Sequence, residues 1–471
     1  MNNWQRVQHL YARAGFGPSL RQWQQDQDRP IEQVIDQLFA KSEKYFPIAV
    51  DNLEEISMNQ MSRMQDLSPE EKKALKEQGR KSQKELNSAW INRMAFSSAQ
   101  LREKMTLFWH DHFATRLPLQ YKLIQQQNNL IRQYALGSFG DLLRAVSKDA
   151  AMLRYLNNQQ NRKDSPNENF AREVMELFTL GRGHYSEQDI KEAARAFTGW
   201  TSRLNGEFIF RKAWHDTGEK TVLGQTGNFD GDAVLDILLA NPQTARYLTR
   251  KLYQYFIHPE VDEVMVESWS QLFYESDYDI SALLRSMFSS EHFYASRNVG
   301  TRIKSPIEYL TSLMRRLNLN FPDKDAVIFL QKAMGQMLFS PPNVAGWPDG
   351  RAWIDSSSIM LRMQVPQAII FSAELALRAK SDFAGNEDVI KVDDRRMVRK
   401  LEGSIDWKSL RQTFGKKRQV DTAALRQYLW ANVPSKLKDD DIAHFTQSED
   451  FDQAFKLQVM RLLCTPEFQL C

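Results

Sequence analysis

The amino-acid sequence predicts a mainly α-helical, multi-helical globular protein with a small β excursion near residues 203–225. Three features lead there: apolar residues recur at helical spacing through most of the chain, Ser-x-x-Glu/Asp/Gln boxes mark helix starts, and alternating strand patterns are scarce. Strands are expected to hold less than roughly a tenth of the residues, below the usual share.

The first helix signal is Ser68-Pro69-Glu70-Glu71, a capping box with proline at the first helical position. It opens the charged stretch "EEKKALKEQGRKSQKELNSAW", which reads as a solvated helix linking two parts of the fold. Ser97 followed by Gln100 fits a second box, starting a helix near residue 98. Along it Leu101, Met105, Phe108 and His112 share one face, so His112 continues an apolar stripe. His110 lies about 200° away on a regular helix of ~100° per residue. The two imidazoles therefore cannot face one site unless the helix loosens before Pro118. Either a polar pair is satisfied in a core there, or His110, Asp111 and His112 do chemistry.

Further helices are suggested by "QQQNNLIRQYALGSFGDLLRAVS", "FDGDAVLDILLANPQTARYLTRKLYQYF", "EVMVESWSQLFYES" and "SALLRSMFSS". Between them, "DSPNENFAREVMELFTLGRG" reads as a helix with Ser165 as cap, Pro166 at the first position, Glu168 completing the box and Gly181 at the end. Phe170, Val174, Leu177 and Phe178 form its apolar stripe, and Glu173 falls inside it. A carboxylate on such a face is costly to bury without a cation, a metal or several donors. Glu168, Arg172 and Glu176 also fit an i,i+4 ion-pair ladder. A second helix follows, boxed by Ser186 and Asp189 and stopped at Gly199-Trp200, so the two form a hairpin. The best strand pattern is "NGEFIFRKAWHD", where Asn205-Gly206 makes a hairpin turn. His215-Asp216 follow in a loop.

Composition excludes several classes. With 62 basic and 59 acidic residues the net charge is +3, which argues against a nucleic-acid binder held by a basic face. No run approaches the roughly 18 apolar residues of a membrane span. The N-terminal stretch lacks the basic and apolar regions of a signal peptide, so the sequence reads as cytoplasmic. Cys464 and Cys471, the two cysteines, read as thiols. "RSMFSSEHF" and "RLLCTPEF" form a faint internal echo, and the charge in "KVDDRRMVRKLEG" suggests a C-terminal helical subdomain from about 385.

The motifs "HLYARAGFGPS", "FWHDHFAT", "NENFAREVMELFTLG", "YSEQDIKEAARAFTGW", "HDTGEKTVLG", "NPQTARYLTRKLYQYF", "KSPIEYL" and "GQMLFSPPNVAGWPDGRAWI" resemble, in order, those of the bacterial family called domain of unknown function 1800. The resemblance implies one continuous module over 1–471. It also implies a periplasmic or cell-envelope setting and, as partner, a sulfatase-like protein of the domain of unknown function 1501 family. The family pattern has asparagine where Asp111 stands and glycine where His184 stands, which implies no shared role for either residue.

Three readings of the polar residues follow. His110, His112, Glu168, Glu173 and His215 are ligand types for a divalent transition metal, the candidate cofactor, although H-E-x-x-H and E-x-x-H are absent. Without a metal, Glu173, Arg172, Glu176 and His112 form a general acid–base set, with Arg172 holding an anionic group. In the third reading the protein is a non-catalytic binding or assembly protein, the polar groups are a structural network, and "SPPNVAGWPDGRAW" is an exposed docking loop. The energetic argument favours a shared site: the helix near 98–113 should pack on that of 166–180, bringing His110 or His112 to Glu168, Arg172, Glu173 or Glu176.

Overall fold

The computed structural model describes residues 1–51, 53, 66–377, 397–416, 419–430 and 450–471. Among the described residues fourteen α-helices precede residue 300: α1 (Asn3–Ala14), α2 (Leu20–Asp26), α3 (Ile31–Glu43), α4 (Pro69–Phe96), α5 (Gln100–His112), α6 (Tyr121–Tyr134), α7 (Phe139–Ser147), α8 (Ala150–Tyr155), α9 (Asn169–Glu173), α10 (Glu187–Ala196), α11 (Gly231–Ala240), α12 (Pro242–Phe256), α13 (Glu263–Glu275) and α14 (Ile280–Ser289). The described residues after it hold six more: α15 (Pro306–Leu317), α16 (Lys324–Met334), α17 (Ser356–Ile370), α18 (Trp407–Phe414), α19 (Thr422–Leu429) and α20 (Phe451–Leu463). The described strands are short antiparallel pairs of two to four residues each, as the scarcity of alternating patterns predicts. Two of the pairs make the β excursion: β1 (Trp200–Ser202) with β2 (Phe208–Phe210), and β3 (Lys220–Val222) with β4 (Gln225–Gly227). Gly206 takes a φ of 91° in the β1–β2 turn, a conformation that favours glycine.

Two hydrophobic cores organise these elements. The first gathers Val7, Leu10, Ile35, Leu38, Met105, Trp109 and the apolar faces of α7 to α14. The second gathers the inner half of α4, α15 to α17 and the C-terminal helices, with Trp23 packed on Phe414 and Tyr428. Cys464 and Cys471 are free thiols. The Ser68 capping box forms as read, but α4 is no solvated linker, because Leu86, Trp90, Ile91 and Met94 bury its second half in that core.

Helix α5 runs between the two cores and is buried on every side except at Asp111. The one-face pattern read from its sequence is therefore incomplete. Its charged residues are buried because each finds a partner in reach. Arg102 donates to the carbonyls of Ser42, Glu43, Arg132 and Gln133, closing the C-terminal ends of α3 and α6. Glu103 accepts from Arg132 Nε at 3.0 Å and from the Trp90 indole at 3.0 Å. Lys104 donates to Glu308 of α15, a helix whose residues are all buried. No capping box starts α5: the Ser97 hydroxyl accepts the Ala99 N–H, and Gln100 is drawn away to Phe16 and Gln22.

Helix α9 departs further from its sequence reading. Glu168 is its N-cap and makes no side-chain cap bond, while Asn167 accepts the N–H of Asn169, so the Ser165 box does not form. From Val174 to Leu180 the helix continues as a π-helix, ending at Gly181 with φ 78°. The Thr179 hydroxyl donates to the Val174 carbonyl at 2.7 Å, supporting the wide turn. Helix α10 starts at the Ser186–Asp189 box and buries Ile190, Ala193 and Ala194, as its spacing predicts.

Candidate acid–base site at the end of α5

The C-terminal turn of α5 presents His110, Asp111 and His112 in three directions, as regular helix geometry requires. His110 points to the second core. Its Nε2 accepts the Phe339 N–H at 3.3 Å, and its ring meets Trp90, Phe339 and Trp347. Burial, aided by Arg132, pushes its pKa down to about 3, so it stays a neutral imidazole at physiological pH. It fills a core position with one ring nitrogen satisfied.

His112 faces the other way, onto the π-helix. Its Nε2 lies 3.2 Å from the Phe178 carbonyl and its Nδ1 lies 3.0 Å from Lys251 Nζ. A carbonyl only accepts, so the proton sits on Nε2 and Nδ1 offers a lone pair to the lysine. Burial and the adjacent Lys251 charge hold this imidazole well below its ordinary value. His112 is thus a neutral acceptor locked in one tautomer. The π-turn supplies the anchoring carbonyl: Leu177 and Leu180 likewise give theirs to Tyr247 and Gln243 of α12.

Lys251 sits half-buried on α12, one turn after Tyr247 and one before Tyr255. Burial lowers its pKa, opposed by the charges of Asp111 and Asp349. Asp111 accepts the Trp347 N–H at 2.8 Å, and burial raises its carboxyl to about 6 against that bond and the pull of Lys251. Among the described residues Asp111 and Lys251 feel each other's charge without forming an ion pair. Gly346 takes φ 85° over this carboxylate, where a Cβ would stand 2.3 Å from Asp111 Oδ1. The loop before α17 thereby closes on α5, with Trp347 and Trp353 buried while Pro342, Asn343, Ala345, Pro348, Asp349 and Arg351 stay exposed. Below it, the Arg302 guanidinium lies 4.3 Å from the Tyr255 ring centre, bonds Glu308 at 2.6 Å, and stands 3.9 Å from Asp349. The Tyr255 hydroxyl is buried and has no partner among the described residues.

The residues singled out in the sequence are distributed differently. Arg172 pairs with Glu168 at 3.2 Å and grips Glu187 of α10 with two bonds, at 2.9 and 2.7 Å. Glu176 instead pairs with Arg182 and Tyr185. The i,i+4 ladder breaks because residues 172 and 176 straddle the change to the wider π-turn, which no longer stacks them. Glu173 is half-buried, with no hydrogen bond or ion pair among the described residues; burial and the neighbouring Glu176 raise its pKa. α5 does meet the segment after α9, but through a backbone carbonyl and not a carboxylate. His215 Nδ1 lies 3.0 Å from the Thr198 carbonyl, and Asp216 pairs with Arg195, so both belong to the end of α10. His110, His112, Glu168, Glu173 and His215 thus do not form a ligand set, and among the described residues no group of three or more His, Cys, Asp or Glu is placed to hold a metal. Helical direction parts His110 from His112, and Thr198 and Arg172 take up His215 and Glu168.

Sequence reading missed Lys251, Tyr255, Asp349 and Arg302. The available signal was the Tyr247, Lys251, Tyr255 repeat, a polar stripe beside the apolar face of α12.

Fold and site together define a mainly α-helical protein in which a lysine, a tautomer-locked imidazole and a half-buried carboxyl meet at the junction of two cores. Among the described residues no helix is long and apolar enough to cross a membrane. The chain belongs to the family described as "Protein of unknown function (DUF1800)", whose pattern matches residues 9–470. Comparison with curated proteins and with solved structures gave no match.

Proposed function

We propose that the protein is a general acid–base enzyme whose proton-carrying group is Lys251, positioned by His112 and set against the charge of Asp111. One observation carries the reading: the 3.0 Å contact between Lys251 Nζ and a His112 Nδ1 whose partner nitrogen is committed to the Phe178 carbonyl. A half-buried amine with a depressed pKa gives up and regains its proton closer to neutral pH than an ordinary lysine, which suits proton transfer. His112 orients the amine without competing for the proton, since its own pKa is far lower. Half-burial leaves Lys251 within reach of a substrate. Asp111 raises the lysine's pKa and tempers the effect of burial.

The alternative is a non-catalytic assembly protein working with a sulfatase-like partner, its polar groups structural. The nearby Lys104–Glu308–Arg302 cluster is a standard for comparison, because there the carboxylate bonds both cations directly. Asp111 and Lys251 are left apart in the same region, and Tyr255 is left unpaired. Open groups of this kind favour the enzyme reading.

The test is turnover of a panel of carboxylic, phosphoric and sulfuric ester and glycoside substrates by the full chain and by Lys251→Met. An activity reduced by about 100-fold or more is the size expected for loss of a positioned proton carrier. Turnover that survives in Lys251→Met, with unchanged circular dichroism, would remove this assignment.

A further inference from the structure

A cavity of about 600 Å³ lies away from Lys251, between α2, the end of α4, the end of α15 and the start of α18. That falls within the size range of small-molecule sites, roughly 300–1,000 Å³. Arg21, Lys41, Arg315 and Arg316 line it, against one carboxylate, Asp406. Asp406 is already engaged as the N-cap of α18, accepting the Ser409 N–H at 3.1 Å.

We propose that this cavity binds a small organic oxyanion, with its charged end among these cations and its apolar body against Phe96. The cations divide into two kinds. Arg315 is spent on the protein, donating to the carbonyls of Gly17, Ala95 and Ser97 and to Gln22, so it is a fixed positive wall. Arg316 joins that wall, whereas Arg21 and Lys41 keep donors to offer. Arg316 is 1% exposed and bonds the Tyr428 carbonyl, yet its Nε and Nη2 have no partner among the described residues. Those two atoms are buried against Gly17, which does not line the cavity, so Arg316 adds positive charge to the wall rather than donors. Arg21 and Lys41 have no hydrogen bond or ion pair among the described residues, and burial, with Arg29, Arg21 and Arg315, lowers the Lys41 pKa against Asp26. Such a like-charge cluster repels itself, and an oxyanion relieves the repulsion while taking up unused N–H donors. The lining also carries Leu20, Leu410 and Phe96, the last 45% exposed. A large aromatic left open beside cations is a surface for an apolar ring.

Calorimetric titration of the full chain decides this, with phenyl phosphate, benzoate and inorganic phosphate as separate probes. The expected result is saturable one-to-one binding of a ring-bearing probe, weakened about tenfold or more, or 1.4 kcal/mol, in Arg21→Gln/Lys41→Gln. Phe96→Ala should reduce that affinity to the level of inorganic phosphate, and Lys251→Met should leave it unchanged. Whether phenyl phosphate or benzoate binds tighter tells a phosphate head from a carboxylate. No saturable heat up to about 10 mM, equal affinity in the double variant, or loss of binding in Lys251→Met would overturn the proposal. The three substituted side chains are exposed or half-buried at the cavity, so the variants keep the fold.

Discussion

Replacing Glu308 by Gln is expected to destabilise the protein by about 3–5 kcal/mol, the cost of leaving buried charges without their counter-charge. Lys104, Glu308 and Arg302 have side chains only 1–3% exposed, and both cations bond the same carboxylate oxygen. The other oxygen accepts the Ser305 N–H at 2.8 Å and so caps α15 as well. Burial alone would raise the carboxyl's pKa, but Arg302 and Lys104 outweigh it and hold it far below the usual range. A depressed folded-state pKa gives stability that is full above the unfolded value and lost only as pH falls through the folded one. The destabilisation should therefore persist undiminished from neutral pH down to about pH 5. Urea unfolding followed by circular dichroism measures it. Glu291→Gln, at the exposed pair with Arg6, is the control and should change stability by no more than about 1 kcal/mol. Equal, small effects at both positions would mean that the buried triad does not join α5 to α15 energetically.

Asp111→Asn is expected to act in the opposite direction. Its folded pKa of about 6 lies above the ordinary 3.8, so its protonation stabilises the fold in acid. That contribution is fully present below about pH 4 and is lost as pH rises through about 6. An amide keeps an oxygen acceptor for the Trp347 N–H and carries no charge to desolvate. The variant should exceed the parent in stability by about 1–2 kcal/mol at pH 7 to 8, with the difference gone below about pH 4. A variant less stable than the parent at pH 8 would show instead that the Asp111 carboxylate stabilises the fold through Lys251.

Much of the architecture was legible in the sequence because it is written locally. The boxes at Ser68 and Ser186, the stop at Gly181 and the turn at Asn205-Gly206 depend on neighbours a few residues away. The divergence of His110 and His112 also followed from helical geometry alone. What failed was of two kinds. Periodicity detects one apolar face, so it could not register α5, whose charged residues are buried against partners from α3, α6 and α15. Nor does an i,i+4 rule survive a π-turn, which is why Glu176 leaves Arg172 for Arg182. The partner of His112 is 139 positions distant, and nothing near His112 announces it. Asp111, given no role by family resemblance, lies within the electrostatic reach of that lysine.

The central claim is that Lys251 is a proton carrier held by a neutral His112, and nitrogen NMR of the two side chains during a pH titration tests it most directly. The account predicts a Lys251 midpoint below the ordinary 10.5, displaced further down in Asp111→Asn, with His112 remaining a neutral Nε2–H tautomer well below pH 6.5. A Lys251 that titrates at 10.5 or above, beside a His112 that gains its proton near 6.5, would contradict it.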